Sequence, residues 1–128
     1  METILLVDDD PHVRPMIRDI LELGGYQILE AGSGEEALRI EAAHDEAIHL
    51  LLTDVMMPGL TGPELARRFR PRRPDTRVLY MSAFSRADVV SQRIDLEPGV
   101  PLLAKPFSVD GLLRTVSEAL ATVAVARV

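Results

Sequence analysis

A chain of 128 residues, 47% of them hydrophobic, is typical of one globular domain rather than of a disordered segment. It has no cysteine, which excludes disulfides, thiolate metal sites and cysteine nucleophiles, and its net charge of −6 argues against a nucleic-acid partner. Because its apolar runs are too short for a membrane span and no secretory signal is recognisable, we expect a cytoplasmic protein without a membrane partner.

The N-terminal part of the sequence predicts two βα units. Residues 4–7 are a short apolar run that ends on acidic residues, as in strands buried on both faces of a parallel sheet. Pro11 suits the first position of a helix, whose apolar residues then recur at intervals of three and four. Residues 26–31 predict a second strand, and a capping box of Ser33 with Glu36 opens a second helix.

The remaining sequence continues this alternation through three more strands and three more helices. In chain order these are the strand 50–53, the helix Pro63–Phe69, the strand 78–81, a weak helix from Ser85, the strand 102–104 and a helix from Ser108. Five such units with right-handed crossovers favour an α/β fold. We predict a doubly wound, flavodoxin-like sheet of five parallel strands in the order 2-1-3-4-5, with five helices.

Six arginines lie between residues 67 and 77, at the end of the predicted third helix. We interpret them as the solvated end of that helix, where cations offset the negative end of the helix dipole. A docking patch for an acidic partner is the alternative.

Four of the strand-like runs end on polar residues that suit phosphate chemistry. The first ends on Asp8 and Asp9, and the others end on Asp54, Ser82 and Lys105. Ligands bind beyond the carboxyl ends of the strands in such sheets, and the predicted order places the first and third strands side by side. We therefore expect the acidic residues to share one pocket.

Carboxylates gathered in this way repel one another, by about 3 kcal/mol per pair at ~5 Å and an effective dielectric constant of about 20. A hard divalent cation removes the conflict, and Mg²⁺ fits better than Ca²⁺, which needs more protein oxygens. Lys105 can pair with a phosphate oxygen, Ser82 can donate a hydrogen bond, and a carboxylate can accept a phosphoryl group. The combination predicts phosphoryl transfer to Asp54.

These residues lie in motifs that resemble those of the receiver domains of two-component response regulators. The motifs are Val7–Pro11 (VDDDP), Leu52–Gly59 (LTDVMMPG), Ser82 with Ala83, and Lys105–Phe107 (KPF). The resemblance predicts a receiver domain over residues 1–121, with 122–128 as a short tail or helix extension. The chain is then a stand-alone receiver, or one excised from a longer protein such as a hybrid sensor histidine kinase.

The resemblance implies a metal site and a phosphoryl acceptor. Asp54 would accept a phosphoryl group from a histidine kinase or a histidine phosphotransfer protein. Asp9, Asp54 and the backbone carbonyl of Met56 would bind Mg²⁺ directly. Asp8 would lie nearby and act through water, and Mn²⁺ is the alternative ion.

The resemblance also implies a switch rather than an enzyme. Lys105 would bridge to the phosphoryl group, Ser82 would turn toward it, and Ala83 is small enough to leave it room. The Lys105–Pro106 bond is expected to be cis. Such a protein would catalyse only its own phosphorylation and slow dephosphorylation. Its face around the fourth helix and fifth strand would change conformation and control a partner that the sequence does not identify.

Four positions depart from the usual pattern of that family. Leu102 replaces an aromatic residue that swings inward in many receivers, so we expect residues 84–101 to carry the change instead. Met56 and Phe84 flank the phosphoryl site and cannot orient an attacking water, which predicts slow dephosphorylation. Pro15 removes an early hydrogen bond of the first helix, so a kink or a delayed start is expected there.

Three other functions remain open from the sequence. An aspartate-nucleophile phosphatase would use the same metal chemistry, but its nucleophile follows the first strand in an Asp-x-Asp pattern with Thr or Val two residues on, where this chain has His12. A flavin carrier of the same fold would need a hydroxyl-rich phosphate loop where this chain has Asp8, Asp9 and Asp10. A receiver-like module that binds without being phosphorylated is the third.

Overall fold

The computed structural model of the protein describes residues 1–122, and it confirms the predicted fold: a five-stranded parallel sheet in the order β2-β1-β3-β4-β5. In chain order the elements are β1 (Thr3–Val7), α1 (Val13–Leu23), β2 (Gln27–Ala31), α2 (Gly34–Ala43), β3 (Leu50–Asp54), α3 (Gly62–Phe69), β4 (Arg77–Ser82), α4 (Arg86–Ser91), β5 (Leu102–Ala104) and α5 (Val109–Ala121). The predicted tail, 122–128, lies outside the described residues except for Thr122. Among the helices of residues 1–122, none has the length and apolar character that crossing a membrane requires.

The sheet is covered by helices on both faces, which explains why its central strands are apolar throughout. Every residue of β1 and β3 is buried. Within β1, Ile4 and Leu6 belong to the same apolar cluster as residues of α1 and α5, whereas Leu5 and Val7 belong to the cluster that includes residues of α2, α3 and α4. Full burial of each such side chain contributes roughly 1.5–3 kcal/mol, so these two layers stabilise the framework that carries the strand ends.

The start of α1 differs from the prediction, because the helix begins at Val13 rather than at Pro11. The carboxylate of Asp10 accepts hydrogen bonds from the amides of His12 (2.8 Å) and Val13 (3.2 Å), so Pro11 lies in the capping turn. The amide of Arg14 donates to the carbonyl of Asp10 at 3.0 Å, but Pro15, the third residue of the helix, has no N–H with which to continue this pattern to Pro11. The delayed start that we expected from Pro15 is therefore what the structure has.

Hydroxyl side chains cap the later helices. Ser33 accepts a hydrogen bond from the amide of Glu36 at 3.1 Å, as predicted, but the Glu36 carboxylate accepts from the amide of Gly32 and not from that of Ser33. The second half of the predicted capping box is therefore wrong. The Ser85–Asp88 box at the start of α4 is complete.

The segment from α4 to β5 is short and depends on side-chain contacts. The α4 helix has six residues and β5 has three. The hydroxyl of Tyr80 donates to Glu97 at 2.6 Å, and Arg70 forms an ion pair with the same carboxylate. Arg86 donates to the carbonyl of Val100 at 2.9 Å. These contacts connect the segment to β4 and to the end of α3.

The arginines after α3 are not simply a solvated helix end, which corrects the prediction. Arg73 and Arg72 both pair with Glu41, a buried residue of α2, and Arg70 pairs with Glu97. Buried carboxylates need such partners because an unpaired charge inside a protein is costly. Half of this basic stretch therefore holds the fold together.

Candidate functional site

The carboxyl ends of β1, β3, β4 and β5 surround a cleft of about 230 Å³. All seven residues that the sequence singled out line this cleft. They are Asp8, Asp9, Asp54, Met56, Ser82, Ala83 and Lys105. The structure therefore brings together every predicted site residue, as the strand order required.

Three carboxylates meet in the cleft within reach of a single ion. One oxygen each of Asp8, Asp9 and Asp54 lies within 4.8 Å of the others. Asp8 is fully buried, Asp54 is 6% exposed and Asp9 faces solvent. Three hard oxygen donors with an open side suit Mg²⁺, which keeps several waters, better than a cation that demands a complete protein cage. The donor set thus fits a magnesium ion.

Lys105 lies between the two buried carboxylates and compensates part of their charge. Its Nζ is 2.7 Å from Oδ1 of Asp54 and 3.1 Å from Oδ2 of Asp8. Burial lowers the pKa of Lys105. Its hydrogen bond with Asp54 and its attraction to both carboxylates raise that pKa by more than burial lowers it, so the net shift is upward. Lys105 therefore stays a cation.

The raised pKa of Asp54 indicates that the negative charge of the cleft is not fully compensated. Burial, followed by the contact with Asp8, raises the pKa of Asp54 to about 8, although Lys105 acts in the opposite direction. One ammonium cannot balance three neighbouring carboxylates, so the cleft favours a proton or a metal cation. This electrostatic excess is the property that the sequence-based repulsion argument predicted.

The backbone around Asp8 and Asp54 fixes where their side chains lie. Val7 pairs with Thr53 in the register of β1 and β3, so the two aspartates follow at adjacent positions of the sheet edge. The carboxylate of Asp8 also accepts a hydrogen bond from the amide of Asp10 at 2.9 Å. The turn of Asp8, Asp9 and Asp10, called the acidic turn below, is therefore held by its own hydrogen bond before α1 begins.

Gly62 packs closely against the backbone of Asp54, and it was not identified as a site residue from the sequence. A Cβ atom at this position would collide with the backbone carbonyl of Asp54. The amide of Gly62 donates to the carbonyl of Val55 at 2.8 Å. Gly62 is the first residue of α3, directly after the N-cap Thr61, and a glycine next to that cap was the available signal.

Ser82 and Lys105 are joined through the β4–β5 edge. The amide of Lys105 donates to the carbonyl of Ser82 at 2.8 Å, which continues the strand pairing by one step. The hydroxyl oxygen of Ser82 accepts from the amide of Phe84 at 2.9 Å and so holds the turn after β4. The predicted cis bond between Lys105 and Pro106 is present.

The sequence matches the family described as the response regulator receiver domain over residues 4–117. It is 35% identical over 118 residues to the sensor kinase CckA of Brucella abortus, which covers 92% of this chain and 12% of that kinase. It is also 32% identical over 120 residues to the response regulator receiver protein CpdR of the same organism, which covers 94% of this chain and 98% of CpdR.

The fold is similar to that of the response regulator protein TrrA of Thermotoga maritima, at 32% identity. The structure of TrrA in complex with Mg²⁺-BeF covers 93% of this chain and 99% of that one, with a TM-score of 0.75. Its structure in complex with the histidine kinase ThkA covers 95% and 100%, with a TM-score of 0.73.

Proposed function

Because the chain belongs to the response regulator receiver domain family of two-component systems, whose members are phosphorylation-based switches, we propose that Asp54 is its phosphoryl acceptor. The observation that carries this proposal is the position of Asp54 at the end of the central β3 strand, with Lys105 on one side and two further carboxylates beside it. The proposed donor is a phosphohistidine of a histidine kinase or of a histidine phosphotransfer protein. The complex of TrrA with ThkA supports that class of partner.

We propose that Asp8, Asp9, Asp54 and the backbone carbonyl of Met56 hold Mg²⁺, with Mn²⁺ as the alternative ion. The three carboxylates have the spacing for one ion, and Met56 borders the same cleft. The Mg²⁺-BeF complex of TrrA supports the choice of metal. When bound, the ion offsets the negative charge that the carboxylates and the phosphoryl oxygens bring together.

In the proposed transfer, an oxygen of Asp54 attacks phosphorus while the bond from phosphorus to the imidazole nitrogen breaks. The electron pair of that bond stays on the imidazole, and Asp54 becomes an acyl phosphate. No histidine is among the residues that line the described cleft. None would be required once a cation bound beside Asp54 favours its ionised form, because a carboxylate then attacks without losing a proton. Positioning and charge stabilisation then supply the catalysis.

Lys105 and Ser82 are proposed to bind the transferred group. The ammonium of Lys105 already contacts Asp54, so it lies within reach of an oxygen attached there. The hydroxyl of Ser82 would donate to the same group, and Ala83 borders the cleft with a side chain small enough to leave space. Met56 (38% exposed) and Phe84 (46% exposed) are apolar, so we also propose slow loss of the phosphoryl group.

The conformational readout is proposed to lie between α4 and β5, on the face that would control a partner. Leu102 is only partly buried and cannot act as an aromatic lever. The segment is held by a few polar contacts, among them those of Tyr80 and Arg70 with Glu97. A complex with a phosphoryl analogue in which residues 84–101 superpose on the free protein would contradict this part of the proposal.

An aspartate phosphatase is the rival with the same metal chemistry, and the geometry is less favourable to it. Its nucleophile would have to be Asp8, which is fully buried. The two carboxylate oxygens of Asp8 already accept hydrogen bonds from the amide of Asp10 and from Lys105. Asp54 also contacts Lys105, but it is 6% exposed at the cleft whereas Asp8 is fully buried, so Asp54 is the better acceptor.

The test is labelling with acetyl phosphate, followed by intact mass measurement. We expect the natural chain to gain one phosphoryl group in Mg²⁺ and none in EDTA, and we expect Asp54→Asn to gain none. Asp10→Asn is the matched control, because Asp10 lines the same cleft but caps α1 through a side-chain oxygen that asparagine retains. Equal labelling of Asp54→Asn and the natural chain would contradict the proposal.

A further inference from the structure

Arg14, the second residue of α1, contacts the backbone of the acidic turn without being part of the cleft lining. Its Nη1 donates a hydrogen bond to the carbonyl oxygen of Asp8 at 2.9 Å. Its Nε donates to Oε1 of Glu30, on β2, at 3.3 Å. One guanidinium group therefore joins the end of β1, the start of α1 and the neighbouring strand.

The carbonyl of Asp8 needs this donor because strand pairing stops there. The amide of Asp8 still donates to the carbonyl of Ala31 at 3.1 Å, but the chain beyond Ala31 turns away into α2. The guanidinium of Arg14 takes the place of the next donor in the ladder. It thereby fixes the peptide plane between Asp8 and Asp9, since that plane contains the carbonyl of the first and the amide of the second.

Space for this contact is provided by a glycine on the neighbouring strand end. A Cβ atom at Gly32 would lie 2.9 Å from Nη1 of Arg14. The Arg14 side chain is three-quarters buried, and the rigid fork of its guanidinium suits two acceptors at a fixed separation. The arrangement therefore depends on a small residue beside the arginine as well as on the arginine itself.

We infer that Arg14 is a positioning residue for the metal-binding turn, which holds Asp8 and Asp9 in the orientation that Mg²⁺ requires. This inference rests on the proposed function, because it assumes that the aspartate cluster is a Mg²⁺ site. Asp9 faces solvent and is not packed in the core, so the direction of its carboxylate depends on how the turn is held.

The charge and the position of Arg14 have opposite effects on a cation, which makes the inference testable. A guanidinium close to the site repels Mg²⁺, so removal of the charge alone would tighten binding. Loss of the hydrogen bond to Asp8 would loosen the turn and weaken binding. Replacement of residues that orient metal ligands typically lowers affinity by about 10-fold to 100-fold.

Arg18 offers a matched control on the same helix. It pairs with the same Glu30, through Nη1 at 2.9 Å, but its described hydrogen bonds do not include Asp8. Arg18→Met and Arg14→Met therefore remove the same charge and a pair with the same carboxylate. Only Arg14→Met also removes the donor to the acidic turn.

The experiment is a calorimetric Mg²⁺ titration of the natural chain, Arg14→Met, Arg14→Lys and Arg18→Met, with thermal unfolding of each in EDTA. We expect Arg14→Met to weaken Mg²⁺ binding about 10-fold, as is typical when a residue that orients a metal ligand is replaced. We expect Arg18→Met to leave Mg²⁺ binding unchanged or slightly tighter. Arg14→Lys keeps the charge but not the fork, so we expect an intermediate loss. That variant also decides the question if Arg14→Met does not fold.

If the natural chain binds Mg²⁺, but Arg14→Met or Arg14→Lys binds it equally well or more tightly, this inference is overturned and the proposed function is not. A merely structural role would lower the unfolding temperature in EDTA without changing Mg²⁺ affinity, and that result would overturn it too. Absence of Mg²⁺ binding by the natural chain would contradict the proposed function, and the inference with it.

Discussion

Two groups of buried carboxylates in this protein differ in how their charge is balanced. At the cleft, the buried Asp8 and Asp54 share the ammonium of Lys105, and the exposed Asp9 lies beside them. On the side of the sheet that α2 covers, Glu41 is 4% exposed and pairs with both Arg72 and Arg73. We call the first the cleft cluster and the second the Glu41 cluster.

The difference separates a site from a structural contact. In the Glu41 cluster each carboxylate oxygen has a guanidinium partner, and Arg73 also donates to the carbonyl of Glu46 at 2.8 Å. The negative charge of Glu41 is therefore fully compensated. The cleft cluster has an excess of negative charge and an open side, so a cation and a phosphoryl group can complete it. Burial of a carboxylate is therefore common to both, and charge balance is what distinguishes them.

The largest expected effect is on the Glu41 cluster. Glu41→Gln leaves Arg73, which is mostly buried, without its counter-charge, and we expect the free energy of unfolding to fall by about 2–3 kcal/mol. Urea denaturation measures this. Arg72→Ala is the control, because Arg72 is largely exposed and its loss should cost less than about 1 kcal/mol. Equal losses for the two variants would remove the contrast that we draw.

The cleft cluster should respond with the opposite sign. Asp54→Asn removes a charge that burial and Asp8 disfavour, so we expect the metal-free protein to gain about 1–2 kcal/mol of stability near neutral pH. Denaturation in EDTA measures the gain. Added Mg²⁺ should reduce it, because the ion stabilises only the chain that keeps all three carboxylates. A loss of stability in EDTA would show that the cluster is already balanced.

The pH dependence of this gain follows from the raised pKa of Asp54. The folded state binds the proton of Asp54 more tightly than the unfolded state does, so Asp54 costs nothing below its ordinary pKa of 3.8. The cost grows as pH rises and is complete above the folded pKa of about 8. The stability gap between Asp54→Asn and the natural chain should therefore widen over that window in EDTA. A gap that is constant with pH would contradict the electrostatic explanation.

Glu97 is a third, partly buried carboxylate to compare with the two clusters. It forms an ion pair with Arg70 and accepts a hydrogen bond from Tyr80, so we expect a smaller effect when one contact is removed. Tyr80→Phe removes one hydrogen bond to a charged group, worth about 1–2 kcal/mol. We expect faster amide hydrogen exchange over residues 92–101 and unchanged labelling by acetyl phosphate. Unchanged exchange in this segment would mean that the Tyr80–Glu97 contact does not hold it.

The open side of the cleft gives the smallest predicted effect. Met56 is apolar and lies at the cleft, whereas asparagine at this position could hydrogen-bond an attacking water. One hydrogen bond of about 1 kcal/mol corresponds to about a fivefold change in rate, so Met56→Asn should lose its phosphoryl group about fivefold faster. The decay of labelled protein after acetyl phosphate is removed measures this. A natural chain that loses phosphate as fast as the variant would contradict it.

The cleft cluster could be predicted from sequence because its signals are local and the topology assembles them. Asp8, Asp54, Ser82 and Lys105 each follow a short apolar run, and the strand order alone brings them to one edge. The type of each element was predicted for the same reason, since periodicity and caps lie within a few residues of one another. The roles of the individual residues in phosphoryl transfer stay predictions.

The Glu41 cluster could not be predicted, because its partners lie about thirty residues apart and belong to separate helical patterns. A buried glutamate and two arginines carry no local signal of pairing, so the arginines were interpreted as a solvated helix end. Arg14 was missed for a related reason. Its contact with Asp8 depends on where β1 stops pairing with β2, which the sequence does not specify.

The most direct test of the account is the position of the phosphoryl group. Borohydride reduces an aspartyl phosphate to homoserine, so labelled protein can be reduced, digested and sequenced by mass spectrometry. We predict homoserine at position 54 in the sample labelled with acetyl phosphate and Mg²⁺, and aspartate at position 54 in the EDTA control. Homoserine at position 8 or 9, or a phosphoryl group on a histidine with Asp54 unchanged, would contradict the assignment of Asp54 as the acceptor.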